Sequence, residues 1–330
     1  MREALFYKKW DNEKVECLLC PRHCVIASGE TGFCRSRKNI DGALYAVNFG
    51  QSASRPVLDP IEKKPLYHFY PGASILSLGP NNCNLACQNC QNWTISQIDV
   101  KTISISPEEL VKLAKESKSL GVAYTYTEPF TWYEFILEAA PLVKEAGMKN
   151  VLVTNGYVEE EPLKRLLPFI DALNIDVKSM YEDFYKKICQ AKLEPVLKTA
   201  ELANKTSHVE ITNLVIPTLN DKKEDFDKLT DWIFKKLGPD IPLHFLKYFP
   251  NYKMGIPSTD ISSLELARKI AREKLNYVYI GNISDVSANT TFCPKCHNEL
   301  IQRTGYSIKK TGLKEGRCVK CENEIAGYLY

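Results

Sequence analysis

From Ser74 to Ile283, short apolar runs alternate with longer stretches whose apolar positions recur three and four residues apart. That is the pattern of buried strands followed by amphipathic helices, the rhythm of parallel βα units. Strands are expected at residues 74–79, 122–127, 150–155, 172–178, 209–216, 243–249 and 277–281, with helices between them that include 107–119, 132–146 and 222–236. The first of these helices has a clear start: Ser106 can cap it, Pro107 suits the first helical position, and Glu108 and Glu109 complement the positive end of the dipole. Such a series can wind as an open doubly wound sheet or curl into a full or partial barrel, and periodicity alone does not choose. In either form chemistry gathers at the C-terminal ends of the strands. Polar residues recur there: Asn81 and Asn82, Thr127-Glu128-Pro129, Thr154-Asn155-Gly156, Asp176 with Lys178, and Asn220-Asp221.

The flanks lack this rhythm. Residues 1–72 are irregular and become Pro-rich towards their end, and residues 284–291 form a polar linker to a final Cys-rich stretch. The expected organisation is therefore an N-terminal Cys-rich extension (1–72), a βα core (73–283) and a small C-terminal module (284–330). With 330 residues, 44% of them hydrophobic, the chain can bury one sizeable core. Its 43 Lys+Arg against 40 Asp+Glu give +3, too little to imply a nucleic-acid or membrane partner. No apolar leader and no long uncharged span is apparent, so a cytoplasmic location with no membrane partner is expected.

The 12 cysteines change the picture, because reducing compartments disfavour disulfides and retain thiolates mainly as metal ligands or nucleophiles. Eleven of them fall into three groups. Cys83, Cys87 and Cys90 form a C-x3-C-x2-C triple just after the first core strand. Three thiolates suit a cubane cluster with one iron left open better than a tetrahedral zinc site, although a distant fourth ligand is compatible with the spacing. Cys293, Cys296, Cys318 and Cys321 make two C-x2-C knuckles, a zinc-ribbon signature whose four thiolates leave no position open for catalysis. Cys17, Cys20, Cys24 and Cys34 also suit a four-thiolate site, with Zn2+ preferred over an auxiliary Fe–S cluster because the set looks like a staple for an extension poor in core residues. Cys189 stands alone in an amphipathic stretch and is expected as a small buried hydrophobe.

The triple has the spacing that marks radical S-adenosylmethionine (SAM) enzymes. The stretches Asp59-Pro60-Ile61-Glu62-Lys63-Lys64-Pro65-Leu66-Tyr67-His68-Phe69, Cys90-Gln91-Asn92-Trp93 and Tyr248-Phe249-Pro250-Asn251-Tyr252-Lys253-Met254 resemble the AmmeMemoRadiSam-system branch, which is related to pyruvate formate-lyase activating enzymes. The similarity spans nearly the whole chain. It implies a partial (β/α)6-type TIM barrel, a 4Fe–4S cluster on the triple, and S-adenosyl-L-methionine chelated to the open iron. Reduction of the cluster then splits the C5′–S bond and leaves a 5′-deoxyadenosyl radical. The resemblance also implies an electron donor such as a ferredoxin or flavodoxin, with Memo-like and AMMECR-like proteins as partners. It places Thr127 and Glu128 at the SAM amino group, and Thr154, Asn155, Asp176 and Lys178 at the amino-acid end. On the residues alone, Thr154-Asn155-Gly156 also reads as a turn and Asp176 with Lys178 as a surface pair.

Two positions depart from the family pattern. Asn89 stands where an aromatic residue usually packs beside the adenine, with Trp93 as a candidate replacement. Phe249 occupies the place of a cofactor-approaching histidine, for which His244 on the same strand is a candidate, although a lone histidine is also a common core residue. The function expected is radical modification of a macromolecule, protein or RNA. The rival within this chemistry is an activase of a glycyl-radical enzyme. The remote alternative is a non-catalytic zinc-dependent nucleic-acid-binding protein, for which the C-terminal module offers seven Lys+Arg against four Glu in residues 291–330.

Overall fold

The computed structural model describes residues 1–329. An eight-stranded sheet forms the core. Seven strands run parallel: β1 (Ser74–Leu78), β2 (Gly121–Tyr124), β3 (Lys149–Thr154), β4 (Ala172–Asp176), β5 (His208–Val215), β6 (Leu243–Lys247) and β7 (Val278–Gly281). They pair in chain order. The crossovers carry α1 (Pro107–Glu116), α2 (Tyr133–Glu145), α3 (Glu160–Leu166), α4 (Glu194–Ala203), α5 (Lys223–Lys236) and α6 (Ile261–Ala271). Because every crossover advances the sheet in the same direction with the usual right hand, the helices cover one face and leave the other to be filled by side chains and loops. The last strand position, Val57–Pro60, joins antiparallel to β1 although it lies within the stretch expected as an extension. The two sheet edges, this strand and β7, are not hydrogen-bonded to each other.

Local chemistry explains the elements well where side chains act on their own backbone. At α1 the Ser106 hydroxyl accepts from the Glu109 amide at 3.1 Å, and the Glu109 carboxylate accepts from the Ser106 amide at 2.7 Å, a reciprocal cap. Along β5, by contrast, alternation places His208, Glu210, Thr212 and Leu214 together on one face. The uncovered face of the sheet is therefore polar, and it is buried.

Glu210 organises that face. Its oxygens accept from the backbone amides of Tyr67 (3.0 Å) and His68 (2.7 Å) and pair with Nε2 of His208 (2.9 Å) and of His244 (2.6 Å). Burial alone would raise this carboxyl, but the hydrogen bonds and the charge of the two imidazoles hold it below the ordinary carboxylate range. The Asp59–Phe69 segment is thereby fixed across the inner face of the sheet, helped by Lys64 on Asp59 (2.7 Å) and by Asn174 Nδ2 on the Pro65 carbonyl (2.8 Å).

The C-terminal module is a three-stranded antiparallel sheet, Thr291–Phe292, Glu299–Thr304 and Ser307–Lys310, plus a small hairpin. It is locked onto the core by buried polar contacts. Arg303 donates to the Tyr67 carbonyl (2.7 Å) and to Thr291 Oγ1 (2.8 Å), and its guanidinium lies 4.2 Å over the Tyr67 ring. His68 Nδ1 donates to the Ala326 carbonyl at 2.7 Å, while Nε2 accepts from the Tyr279 hydroxyl at 2.7 Å. Gly327 is required beside it: φ is +118°, and a Cβ there would meet the His68 carbonyl oxygen at 2.4 Å. The N-terminal segment forms two three-stranded antiparallel sheets. A buried ion pair at 2.7 Å, Arg37 to Glu134, ties it to α2.

Burial lowers the His68 pKa from an ordinary 6.5 to about 4. Between those values the unfolded chain binds a proton that the folded one refuses, so stability is complete above pH 6.5 and falls as pH drops through the window. Lowering pH from 7 to 5 should cost about 2 kcal/mol from this group. Urea unfolding of His68→Gln should show a flatter pH profile than wild type; equal slopes would assign the acid sensitivity to other groups.

Candidate active site

The C-terminal ends of the strands open onto a cavity of about 1090 Å³. Cys83, Cys87 and Cys90, from the loop after β1, form one wall. Thr127 and Glu128 after β2, Thr154 and Asn155 at the end of β3, and Asp176 with Lys178 at the end of β4 line the same space. The six polar residues that the resemblance placed at the cofactor therefore meet the triple in one cavity, whereas Asn81, Asn82, Asn220 and Asp221 do not line it. Val57–Pro60 and the segment after it supply the far side through Glu62, Lys64 and Tyr67, and the C-terminal module adds Arg303 and Tyr306.

Each side chain is held by a specific contact. Glu128 Oε1 accepts from Thr154 Oγ1 (2.7 Å) and the Phe130 amide (3.0 Å), and Oε2 accepts from the Asn155 amide (2.8 Å). A carboxylate has about four lone-pair positions, so three are engaged and one on Oε2 is left for a ligand. Burial is the main cause that raises the Glu128 pKa to about 7, against those three donors. Asn155 Nδ2 donates to Asn84 Oδ1 (2.9 Å) and reaches Cys83 Sγ at 3.5 Å. Glu128, Thr154, Asn155, Asn84 and Cys83 are thus one connected network. Thr127 is different, since its hydroxyl donates to the Pro80 carbonyl at 2.7 Å and closes the strand end.

Asp176 and Lys178 pair at 2.9 Å on the cavity wall. Burial pulls the Lys178 ammonium down, but the Asp176 carboxylate and the Cys87 and Cys189 thiols outweigh it and raise the pKa well above the ordinary lysine value. The group is a fixed positive charge facing the thiols. Cys189, expected as an isolated core residue, is buried as expected, yet its thiol interacts with that of Cys87. That contact pushes the Cys87 thiol pKa down and that of Cys189 up. The sequence carried no signal for this pairing. It arises because the Ala86 and Gln88 amides bond the carbonyls of Cys189 and Ile188, which docks a one-turn segment about a hundred residues away against the triple.

Of the two substitutes considered for family positions, Trp93 and His244, the first does not reach the cofactor space. Trp93 stacks on Tyr252, with centroids 5.2 Å apart and rings 17° from parallel, and does not line the cavity. Its flat face is satisfied by another ring. Phe249 is largely exposed and likewise outside the lining. His244 does line the cavity, but its Nε2 is committed to Glu210. Asn89 is more informative: it is buried on the cavity wall, and its Oδ1 has no hydrogen-bond partner in the protein. An orphaned buried acceptor there matches a ligand that donates.

The donor chemistry fits an iron–sulfur cluster. Among the described residues, the triple and its neighbours do not bring three Cys, His, Asp or Glu ligand atoms within 4.8 Å of one another, as a closed single-ion site would. Sulfur-directed donors are present instead, from the Leu85 amide (3.4 Å) and Asn155 to Cys83, and between Ser96 and Cys90 (3.2 Å). By contrast Cys293, Cys296, Cys318 and Cys321 do gather within 4.8 Å, a set that could hold a metal ion.

With a βα sheet, a thiol triple and a polar cofactor-sized cavity at its strand ends, the chain is an enzyme of the radical SAM superfamily, whose model matches residues 79–233. Membership implies a 4Fe–4S cluster and S-adenosylmethionine. The uncharacterized protein MJ0808 of Methanocaldococcus jannaschii is 47% identical over 333 residues, covering 98% of this chain and 99% of that one. The pyruvate formate-lyase-activating enzyme of Listeria monocytogenes is 26% identical over 190 residues, 53% of this chain and 77% of the enzyme. Among solved structures, a radical SAM methyltransferase from Sphaerobacter thermophilus shares the fold, with a TM-score of 0.52 at 14% identity over 64% of this chain and 67% of that one.

Replacing Cys189 by Ala should leave the iron bound at the triple unchanged and make the cluster's midpoint potential more negative, because a polar thiol beside a ligating sulfur is lost. Iron analysis reads the first and redox titration of the anaerobic protein the second. Loss of iron would instead make Cys189 a ligand.

Proposed function

We propose that this chain is a radical SAM enzyme of the AmmeMemoRadiSam type acting on a protein or RNA substrate, with the cluster held by Cys83, Cys87 and Cys90. The observation that carries the reading is the cavity itself. At about 1090 Å³ it exceeds the roughly 300–1,000 Å³ that encloses most small ligands, so space remains beside a bound cofactor. Its rim is built by the C-terminal module, where exposed Tyr306 sits above buried Arg303. Arg303 and Glu62, a buried ion pair at 3.8 Å whose Nε and Oε2 make no hydrogen bond, line the cavity and suit a polar substrate segment.

When bound, the cluster and SAM supply the radical chemistry. The chain's own residues bind, orient and enclose. Glu128 offers its remaining lone pair to an ammonium, and Lys178 provides a positive charge for a carboxylate, with Asp176 setting its position. Thr154 and Asn155 position Glu128, while Thr127 closes the strand end. Asn89 Oδ1 would accept a hydrogen bond from a donor group of the bound cofactor. Cys293, Cys296, Cys318 and Cys321 would hold a zinc ion, which would keep the hairpin that bears Arg303 and Tyr306 in place. In this reading residues 1–72, 73–283 and 284–330 are three modules around one (β/α)6-type partial barrel. A low-potential ferredoxin or flavodoxin serves as donor, and Memo-like and AMMECR-like proteins are the partners.

The kinship with pyruvate formate-lyase-activating enzymes favours a second reading, activation of a glycyl-radical enzyme. It would show as a stable backbone radical on an added partner.

The primary test is formation of 5′-deoxyadenosine by anaerobic, dithionite-reduced protein with SAM. Wild type should produce it, and Cys83→Ala, Cys87→Ala and Cys90→Ala should each reduce the rate at least about a hundredfold, as expected when the cofactor that carries the chemistry is lost. Lys178→Met should raise the SAM concentration for half-maximal cleavage about tenfold, the equivalent of one charge-assisted contact. Product formation indifferent to the three cysteines would overturn the assignment.

A further inference from the structure

The three cysteine sets of this chain provide an internal comparison of spacing. In the C-terminal set, Cys293 and Cys321, and likewise Cys296 and Cys318, bring their sulfurs to 3.6 Å, and all four lie within 4.8 Å of one another. Four sulfurs bonded at about 2.3 Å to one tetrahedral ion stand roughly 3.8 Å apart, so this set is sized for a single ion. Among the described residues no other group of three or more Cys, His, Asp or Glu ligand atoms is gathered so closely. The N-terminal thiols therefore belong with the open set at Cys83, Cys87 and Cys90, not with the closed one.

Yet they are not scattered. Cys17, Cys20, Cys24 and Cys34 line a single small cavity of about 20 Å³, walled also by Leu19, Ile26 and Phe130. Thiols that surround a common space at wider than single-ion spacing match a four-iron cubane, which holds its cysteine sulfurs roughly 6 Å apart.

A second observation is independent of the sulfurs. Arg37 lines the same cavity and is 2% exposed. One of its nitrogens, Nη1, is paired with Glu134 at 2.7 Å, but Nε and Nη2 have no partner. A buried guanidinium with two unpartnered nitrogens is costly unless an anion accepts from it. A cluster carried on four thiolates is such an anion, and its sulfurs accept hydrogen bonds.

We propose that Cys17, Cys20, Cys24 and Cys34 hold a second 4Fe–4S cluster, with Arg37 as its buried counter-charge. This reverses the preference for zinc, which rested on the set's look of a staple for an extension poor in core residues. With every iron ligated by the protein, this cluster has no open position for SAM. Asn84, which lines its cavity, directly follows Cys83, so the two cluster sites are neighbours.

The test is a metal and sulfide count on the full-length chain purified anaerobically. The native chain should carry about eight irons, about eight acid-labile sulfides and about one zinc. About four irons with about two zincs would overturn the proposal. Cys83→Ala/Cys87→Ala/Cys90→Ala should retain about four irons and show a reduced-state electron paramagnetic resonance signal that SAM does not alter; loss of all iron from a folded, zinc-loaded variant counts against it. Conversely, Cys20→Ser/Cys34→Ser should halve the iron of the native chain and leave the ribbon zinc in place. Unchanged iron in that variant would sink the assignment.

Discussion

The Glu210 carboxylate is the constraint around which the rest of the structure is arranged. A buried negative charge costs several kcal/mol unless donors surround it, and here two backbone amides and two imidazoles do. Those four partners come from three places in the chain: the Tyr67-His68 segment, β5 itself and β6. Satisfying one charge therefore fixes the segment that crosses the inner face, and with it the floor of the cavity. Tyr67 then presents its carbonyl and ring to Arg303, and His68 presents its Nδ1 to Ala326, so the C-terminal module docks on a surface that Glu210 has already organised.

A similar economy operates at the strand ends. Glu128 binds the end of β3 through Thr154 and Asn155, and Asn155 continues to Asn84 and Cys83. Two strands and the thiol loop thus share one hydrogen-bonded frame. The frame is rigid because nearly all its polar atoms are paired, and the atoms left over, a lone pair of Glu128 and Asn89 Oδ1, face the cavity. Unmet hydrogen-bonding capacity marks where a ligand belongs.

The cysteines show why sequence spacing and spatial spacing answer different questions. The two C-x2-C knuckles of the C-terminal module, on loops except for Cys318 in the strand Arg317–Cys318, gather their four sulfurs within 4.8 Å of one another. The N-terminal four have comparable local spacing, but they lie on loops and on the strand Val15–Cys17, around a cavity that Phe130 and Arg37 help to shape. Packing, not the interval between cysteines, sets the separation of those sulfurs.

Much was legible in the sequence for physical reasons that act locally. Seven apolar strands, the Ser106 cap and the recurrence of polar residues after strands follow from periodicity and from side chains that meet their own backbone. The thiol triple with Glu128, Asp176 and Lys178 was readable because a parallel sheet places all its strand ends at one rim. Tertiary structure decided the rest: the inward Glu210, the Cys189 thiol against Cys87, the edge strand from Val57–Pro60, and Trp93 turned to Tyr252. None of these has a local signature. Each depends on which distant group fills a buried hydrogen bond or covers a ring, and that is settled only when the chain closes on itself.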